Sequence, residues 1–328
     1  MLTFPPEWER HKATVVSWPR RPEVWGSVLP DARAEYESLI RTISESEEVL
    51  LVVHPADMAS VTWAAKLPRL AVLRHPIDDG WVRDNGPLFC LDDARPVAVD
   101  FDFNSWGNRF RPSDGDRSLG RAVSGYFGVR RTWVPWVLEG GAVSTNGSGD
   151  LLSSAESVLH PNRNGRTTLE EATGILSSNL GVDRLIWIPH GLLEDLKNTD
   201  GHVDNVAVFC DSETVLVQSA TGDNPNCERL AGNTEAIRSQ APDLTVVQCD
   251  RLPYVRLPDG SNQPAPYLNF VLTRDSIILP TVGSQSDAWA RGFFREVFPG
   301  REVTFTPSYA LTYGGGGPHC VTMQVPYF

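Results

Sequence analysis

Short runs of apolar residues recur along the whole chain, and they predict a protein rich in β-strands. Each run is only a few residues long and is dominated by residues that strands favour, such as Val, Ile, Thr, Phe and Trp. The predicted strands are 13–18, 48–53, 70–74, 88–91, 96–101, 132–138, 184–188, 205–210, 214–218, 244–249, 267–272 and 302–305.

Longer amphipathic stretches lie between many of these runs and predict helices. Several of them open with Pro, Ser, Thr or Asp, residues that favour the start of a helix. The predicted helices are 31–44, 55–66, 167–179, 226–240 and 286–297. Because many neighbouring strands are too close in sequence to be joined by a crossover helix, we expect several small mixed sheets rather than one long parallel sheet.

No part of the chain separates it into independent domains. The 25 prolines and 27 glycines are spread over many loops, and the chain has no low-complexity tract, no exact internal repeat and no long flexible linker. We therefore predict a single α/β domain over residues 1–328.

The charge distribution narrows the classes of partner. A formal net charge of −12 disfavours binding to nucleic acid and to anionic lipid, whereas it suits attraction of a small cation. The chain has no run of about 18 apolar residues, which is the length that could cross a membrane. The first twenty residues include Glu7, Glu9, Arg10 and Lys12, where a secretion signal would need an apolar stretch, so we expect a cytoplasmic location.

The cysteines do not form a recognisable framework. Five of them are scattered along the chain without a C-x-x-C pair, which indicates neither a disulfide scaffold nor a zinc site. Most are expected to be small core residues. They are Cys90, Cys210, Cys227, Cys249 and Cys320.

Two clusters supply carboxylates at positions where the backbone turns. The segment 81–87 reads WVRDNGP and contains Asp84, which could be an ordinary turn residue or a partner of Arg83. Glu139 ends a predicted strand and is followed by two glycines, which let the backbone pass close to another group. A solvated glutamate at a strand end is the alternative.

A third cluster places an imidazole beside a carboxylate. His202 and Asp204 lie two residues apart at the entry to a predicted strand, so we expect their side chains on the same face. A structural histidine or part of a metal site would also explain the pair, although no further ligands stand at a recognisable spacing.

The fourth cluster delivers a cysteine through a run of glycines. Residues 313–320 read YGGGGPHC, and neither a phosphate-binding loop nor a dinucleotide fingerprint matches this order. Glycines allow close approach, so Cys320 could be held as a reactive thiolate in a tight site. A flexible loop followed by a buried cysteine is the alternative.

Together the four clusters offer a thiol, an imidazole and several carboxylates, which indicates catalysis by a Cys/His pair. A guanidinium group is the substrate that suits two buried carboxylates beside such a pair, because it is planar, permanently charged and binds carboxylates along its N–H edges.

The four clusters resemble, in the same order, the signature motifs of the agmatine deiminase and bacterial peptidylarginine deiminase family, part of the guanidine-modifying superfamily with the pentein fold. Secondary marks extend the resemblance over nearly the whole chain. These marks are 17–19, 21–25, 103–107, 162–164, 267–270 and 298–300.

The resemblance implies a five-bladed α/β propeller of ββαβ-like units with the site on its axis. It also implies hydrolysis of a guanidinium group without a metal or organic cofactor, with agmatine and water giving N-carbamoylputrescine and ammonia. Cys320 would attack the guanidinium carbon, and His202 would act as acid and then as base. Glu139 would orient His202, and Asp84 and Asp204 would hold the substrate nitrogens.

Further substrate contacts are expected from Trp81 and Gly317, and the far end of the substrate is expected to meet Glu194, Asp195 or Asp200. The loop 192–198 is about two residues longer than the family pattern, and Ala142 stands where a polar residue is expected. These departures put agmatine itself in doubt more than deimination.

Several alternatives stay open. The carrier of the guanidinium could be an arginine inside a peptide or a natural product, and an amine in place of water would make the enzyme an amidinotransferase. A non-catalytic binder of cations and a metal-dependent hydrolase are the alternatives from other classes. The sequence leaves assembly into a homo-oligomer open.

Overall fold

Strands and helices alternate along the chain in the computed structural model, which describes residues 2–327. The strands are β1 (Leu2–Thr3), β2 (His11–Ser17), β3 (Val49–Val53), β4 (Leu70–Arg74), β5 (Leu88–Asp92), β6 (Arg95–Asp102), β7 (Arg130–Val137), β8 (Val143–Thr145), β9 (Asp150–Ser154), β10 (Arg184–Ile188), β11 (Ala207–Phe209), β12 (Thr214–Gln218), β13 (Thr245–Cys249), β14 (Tyr254–Arg256), β15 (Asn262–Pro264), β16 (Val271–Leu272), β17 (Ser276–Thr281), β18 (Glu302–Pro307) and β19 (Thr322–Pro326).

The helices range from single turns to four turns. The α-helices are α1 (Pro22–Trp25), α2 (Leu29–Ser44), α3 (Val82–Asn85), α4 (Ser105–Asn108), α5 (Asp114–Arg117), α6 (Leu119–Phe127), α7 (Ala155–Val158), α8 (Pro161–Asn164), α9 (Leu169–Leu180), α10 (Cys227–Gln240), α11 (Asp287–Val297) and α12 (Tyr309–Tyr313). Tighter 3-10 segments lie at Gly26–Val28, Pro55–Lys66, Gly140–Ala142, Leu193–Lys197 and Val203–Asn205.

Five sheets repeat one arrangement of three strands. The middle strand pairs antiparallel with one neighbour and parallel with the other. We call these sheets blades 1 to 5. Blade 1 contains β19, β2, β3 and β4, blade 2 contains β1, β5, β6 and β7, blade 3 contains β8–β10, blade 4 contains β11–β13, and blade 5 contains β16–β18. The repetition confirms the predicted five-bladed α/β propeller and the small mixed sheets.

The helices stand where the parallel strand pairs require them. A parallel pair needs a long crossover, and in each blade a helix lies in the connection that joins the two parallel strands. The crossover helices of blades 1 to 5 are α2, α6, α9, α10 and α11 in that order. Each blade is therefore a ββαβ unit, as the family resemblance implies.

The C-terminal strand closes the ring by completing blade 1. β19 pairs antiparallel with β2, with Thr322 opposite Val16 and Gln324 opposite Thr14. The antiparallel partner that blades 2 to 5 take from the preceding strand is thus supplied to blade 1 from the other end of the chain. This closure matters for the site, because Cys320 lies two residues before β19.

Helix α2 shows how the apolar pattern builds the core beneath the site. Tyr36, Leu39, Ile40 and Ile43 follow the helical spacing and are fully buried against blade 1. Burial of each such apolar side chain contributes roughly 1.5–3 kcal/mol to the stability of the folded protein. The Tyr36 hydroxyl donates a hydrogen bond to the Gly80 carbonyl at 3.1 Å, which ties this helix to the loop that leads into the segment 81–87.

One predicted strand is largely wrong. Residues 267–272 were expected to be extended, but within that run the strand contains only Val271 and Leu272. Tyr267, Leu268 and Phe270 are buried by packing around a turn, not by alternation in a sheet. An apolar run without clear alternation does not distinguish these two cases.

Candidate functional site

The links between consecutive blades carry the polar residues of the four clusters and one further residue, Asn269. Each link contains a short helical or turn segment, which is followed by the first strand of the next blade. In order from the link between blades 1 and 2, these residues are Asp84, Glu139, His202 with Asp204, Asn269 and Cys320. The five links meet at one point, so the five-fold repeat positions one part of the site per blade.

Cys320 lies at the meeting point and is nearly inaccessible, with 6% of its surface exposed. The Asn269 side-chain amide donates to its Sγ at 3.2 Å, and Sγ lies 3.6 Å from Asp204 Oδ2. Burial raises the pKa of the Cys320 thiol well above its ordinary value, and the negative charges of Asp204 and Asp84 raise it further. Without a ligand the thiol therefore keeps its proton at neutral pH.

His202 stands between two carboxylates. Its Nδ1 lies 3.7 Å from Asp84 Oδ1, and its Nε2 lies 3.6 Å from Glu139 Oε2. Burial lowers the pKa of the imidazole, but the charges of Asp84, Glu139 and Asp204 outweigh burial and raise the pKa to about 9. His202 is therefore an imidazolium at neutral pH, and its Nε2 has no hydrogen-bond partner within residues 2–327.

Arg163 supports Glu139 from behind. Its Nε donates to Glu139 Oε1 at 2.7 Å, and both side chains are almost completely buried. Burial alone would raise the pKa of Glu139, but the charges of Arg163 and His202 hold it below its ordinary value. Arg163 also binds Asp200 Oδ2 at 2.5 Å and the Thr199 carbonyl at 2.8 Å, which fixes the loop that precedes His202.

Asp84 and Asp204 face the same space with part of their hydrogen-bonding capacity unused. Asp84 accepts hydrogen bonds from Trp106 Nε1 at 2.9 Å and from the Gly141 amide at 3.1 Å. Asp204 Oδ2 lies 2.9 Å from His319 Nδ1, whereas its Oδ1 has no partner among the described residues. Two buried carboxylates, one with an unpaired oxygen, indicate a site for a cation with several N–H donors.

A second layer of charge lies behind Asp204. His319 Nε2 is 3.0 Å from Glu7 Oε1, and Arg83 Nη1 donates to the same oxygen at 3.0 Å. Burial and Arg83 lower the pKa of His319, but Glu7 and Asp204 outweigh them and raise it. Arg83 therefore pairs with Glu7, and the alternative in which Asp84 serves only as the partner of Arg83 does not describe this site.

Two glycines are required by the close packing around His202 and Cys320. A Cβ added at Gly141 would lie 2.5 Å from His202 Nδ1 and 3.0 Å from Asp84 Oδ1. A Cβ at Gly316 would lie 2.5 Å from Trp81 Cζ3 and 3.2 Å from Cys320 Sγ. Any larger residue at either position would displace the groups that surround the thiol.

A cavity of about 60 Å³ opens from Cys320 and Asp84 towards solvent. Indole rings form much of its wall, and Trp81 is held by stacking on Trp25 at 5.2 Å between ring centroids and by a 3.0 Å hydrogen bond from its Nε1 to Asp79. The remaining lining residues are Val24, Trp106, Phe110, Lys197, Asn198, Thr199 and Gly314 to Gly316. Flat apolar walls with a carboxylate at the inner end suit a planar cation.

The residues predicted for the far end of the substrate lie elsewhere. Glu194 accepts a hydrogen bond from Asn226 Nδ2 at 2.9 Å, and Asp195 Oδ2 accepts one from the His202 backbone amide at 3.1 Å. Asp200 is held by Arg163. None of the three lines the cavity, so their carboxylates support neighbouring loops. Gly317 packs against Asn269 and is also outside the cavity lining, whereas Trp81 lines it.

The local geometry of the His202–Asp204 pair differs from the prediction. The two residues were expected on one face of a strand, but Val203–Asn205 forms a 3-10 turn and the strand begins only at Ala207. Both side chains nevertheless reach the site, because His202 Nδ1 lies 3.7 Å from Asp84 Oδ1 and Asp204 Oδ2 lies 3.6 Å from Cys320 Sγ. The predicted backbone conformation of this segment was therefore wrong.

Some residues of the site were missed by reasoning about chemistry from the sequence. Asn269, Trp106 and Arg163 fall inside the secondary marks of the resemblance, so a signal existed but indicated no role. His319 stands next to Cys320 in the fourth cluster. Glu7 carries no local signal, because its partner His319 is 312 residues away.

Neither a cluster of metal ligands nor a membrane-spanning helix is found among the described residues. Within residues 2–327, no group of three or more His, Cys, Asp or Glu side chains is arranged to hold a metal ion. Over the same residues, no helix combines the length and the apolar character that a membrane span needs.

Comparison with known proteins identifies the family. The agmatine deiminase of Stutzerimonas stutzeri (strain A1501) is 32% identical, with 98% of this chain and 95% of that protein covered. The agmatine deiminase of Pseudomonas aeruginosa (strain UCBPP-PA14) is 31% identical with the same coverage. A solved structure of agmatine deiminase from Enterococcus faecalis superposes with a TM-score of 0.92 at 26% identity, covering 99% of this chain and 96% of that one. The sequence model of the Porphyromonas-type peptidyl-arginine deiminases matches residues 3–326, and this chain belongs to that family.

Proposed function

We propose that this protein is a hydrolytic deiminase that replaces one nitrogen of a guanidinium group by oxygen and releases ammonia. The names of its relatives point to agmatine and water giving N-carbamoylputrescine and ammonia. The observation that carries the proposal is the meeting of a buried thiol, an imidazolium and two buried carboxylates around Cys320, at the inner end of an aromatic cavity.

Binding of the substrate begins the reaction in this proposal. Asp84 and Asp204 accept N–H bonds from the guanidinium, which compensates the cost of keeping both carboxylates buried. Burial and the charges of Asp204 and Asp84 raise the pKa of Cys320, and the positive charge of the substrate opposes these effects. The thiol therefore releases its proton to solvent only when a substrate is present. The free enzyme is thereby protected from reaction with other electrophiles.

Covalent chemistry follows in two halves. Cys320 Sγ forms a bond to the guanidinium carbon, and one C–N bond breaks as His202 protonates the departing nitrogen. The resulting thiouronium carbon is then attacked by water, from which His202 removes a proton, and the C–S bond breaks to release the ureido product. Glu139 and Arg163 act as positioning residues. Glu139 faces Nε2 of the His202 imidazole, and Arg163 holds Glu139 in place.

The pH profile tests the charge state of His202. We predict that kcat/KM falls about tenfold per pH unit above about pH 9, because the pKa of His202 is raised to about 9 and the imidazolium is the required acid. Glu139→Gln removes a negative charge that raises this pKa, so the fall should move to lower pH. Initial rates of ammonia release from pH 6 to 11 measure both profiles, and an unmoved alkaline limb in the variant would mean that another group titrates.

The same chemistry on an arginine derivative is the second candidate. It is favoured by Lys197, a cationic residue in the cavity lining where the ammonium of agmatine would call for a carboxylate. The two candidates share every step at Cys320 and differ only in the tail of the substrate.

A direct assay tests the proposal. The purified enzyme is incubated separately with agmatine, free arginine and an arginine-containing peptide, and ammonia and the ureido product are quantified together. Equal amounts of both products from any substrate support hydrolytic deimination. Transfer of the amidino group to an added amine would favour an amidinotransferase, and the absence of product from all three substrates would contradict the proposal.

A further inference from the structure

The cavity carries opposite charges at its two ends. Asp84 lies at the inner end beside Cys320, and exposed Lys197 lies with half-buried Asn198 where the cavity reaches solvent. The cavity-lining residues all belong to the described part of the chain. Among them, Asp84 and Lys197 are the two residues of the Asp, Glu, Lys and Arg types. A substrate that places its guanidinium against Asp84 therefore extends its tail towards Lys197, the cationic residue of the lining.

The nearby carboxylates do not offset this charge inside the cavity. Glu194 points to Asn226, and Asp195 lies beneath the His202 backbone. Asp200 is bound by Arg163 and by Arg109, whose Nη2 lies 2.5 Å from Asp200 Oδ1. Hydrogen bonds from Ser261 and, to a smaller extent, the charge of Lys197 lower the pKa of exposed Asp259, which lies outside the cavity lining.

The backbone that presents Lys197 is held in place. Arg109 Nη1 donates to the Lys197 carbonyl at 2.8 Å, and Arg109 Nη2 donates to the Leu196 carbonyl at 3.1 Å. Since Arg109 also binds Asp200, the 3-10 segment Leu193–Lys197 is attached to the same network that positions Glu139 and His202. These hydrogen bonds therefore fix the backbone of Lys197 relative to the site around Cys320.

We infer that Lys197 selects the charge of the substrate's tail, so that a guanidinium compound ending in a carboxylate is preferred over one ending in an ammonium. This inference rests on the proposed deimination and specifies its substrate class as guanidino acids, including arginine derivatives with a free carboxylate. An attraction replaced by a repulsion of similar size near a protein surface changes affinity by about tenfold or more. Agmatine can still be turned over, but repulsion between its ammonium group and Lys197 weakens its binding.

Three compounds with similar spacers isolate the effect. Agmatine ends in an ammonium, 1-butylguanidine ends in a methyl group, and 4-guanidinobutanoate ends in a carboxylate. For the wild-type enzyme we expect kcat/KM to rise in that order, by about tenfold between agmatine and 4-guanidinobutanoate. Lys197→Glu should invert the order of agmatine and 4-guanidinobutanoate, each compared with 1-butylguanidine in the same variant, because the tail would then meet a carboxylate.

A matched control separates local from global charge. Lys66→Glu changes the net charge by the same amount at another exposed lysine, which lies outside the cavity lining. The order of the three compounds should be unchanged in this variant. An inversion in Lys66→Glu as well would assign the effect to the overall charge and overturn the inference.

The inference and the proposed function fail in different ways. If the wild-type enzyme prefers agmatine and Lys197→Glu leaves the order unaltered, deimination stands and the role of Lys197 is refuted. If no compound is turned over, calorimetric binding of the three compounds to the wild-type and Lys197→Glu proteins still measures tail preference. Binding in the expected order would then support the role of Lys197 and count against catalysis, whereas equal binding of all three would refute that role.

A peptide series distinguishes two sources of the carboxylate. A dipeptide with a C-terminal arginine carries the free carboxylate, whereas its C-terminal amide does not. Preference for the free acid over the amide, lost in Lys197→Gln, would extend the substrate class from small guanidino acids to peptide ends. Equal rates on acid and amide in the wild-type enzyme would exclude peptide ends as the source of the recognised charge.

Discussion

Replacement of Cys320 with alanine is expected to lower kcat by at least about 10⁴-fold, because the reaction loses the only proposed nucleophile. The substitution removes one atom from a packed cluster in which the Asn269 amide and Asp204 remain in place. Substrate binding should therefore survive, since the carboxylates that hold the guanidinium are unchanged.

Mass spectrometry provides the direct measurement for this variant. Acid quenching of the wild-type enzyme during turnover should trap an amidino adduct on the peptide that contains Cys320, and Cys320→Ala should show none. Cys227→Ala is the matched control, because Cys227 is a half-buried free cysteine at the start of α10 and outside the cavity lining. Full activity in Cys320→Ala would refute the covalent route.

Replacement of His202 with glutamine is expected to lower kcat by about 10³-fold, because general acid and base catalysis by one residue serves both halves of the reaction. Glutamine keeps much of the volume between Asp84 and Glu139 but cannot carry the proton. The residual activity should also lose the alkaline limb near pH 9, since the titrating group that causes it has been removed.

The loss of the pH limb distinguishes chemistry from structural damage. Thermal unfolding of His202→Gln should be compared with that of the wild-type protein, and His54→Gln serves as the control at a half-buried histidine outside the cavity lining. A variant that is slow but keeps the limb near pH 9 would show that His202 does not supply the proton.

Local signals predicted several strand bounds and the close approaches of the backbone, whereas the five-bladed fold and the roles of the site residues were expected from the resemblance to a known family. The bounds of β4, β10 and β12 agree with the predicted strands at 70–74, 184–188 and 214–218. The glycines at 141 and 316 marked the places where other groups approach the backbone closely. These features are encoded within a few residues, so pattern and composition are sufficient to find them.

The remaining parts of the site depend on direction and on distant contacts, which a pattern does not encode. Asp195 looked like a substrate ligand because it is acidic and near the third cluster, but its carboxylate accepts the His202 amide. Burial raises the pKa of Asp195 to about 6. Glu7 reaches His319 only because the ring of blades brings the two ends of the chain together.

The closure of the ring also constrains how the protein can be made. The ribosome produces β2 before any other long strand, yet its antiparallel partner Thr322–Pro326 emerges only after blades 2 to 5. A nascent chain therefore carries an unpaired strand edge, which is prone to mispairing, until the residues beside Cys320 have been synthesised. Cys320 and strand β19 are synthesised together, so a chain that terminates before them has an open sheet edge and lacks the proposed nucleophile.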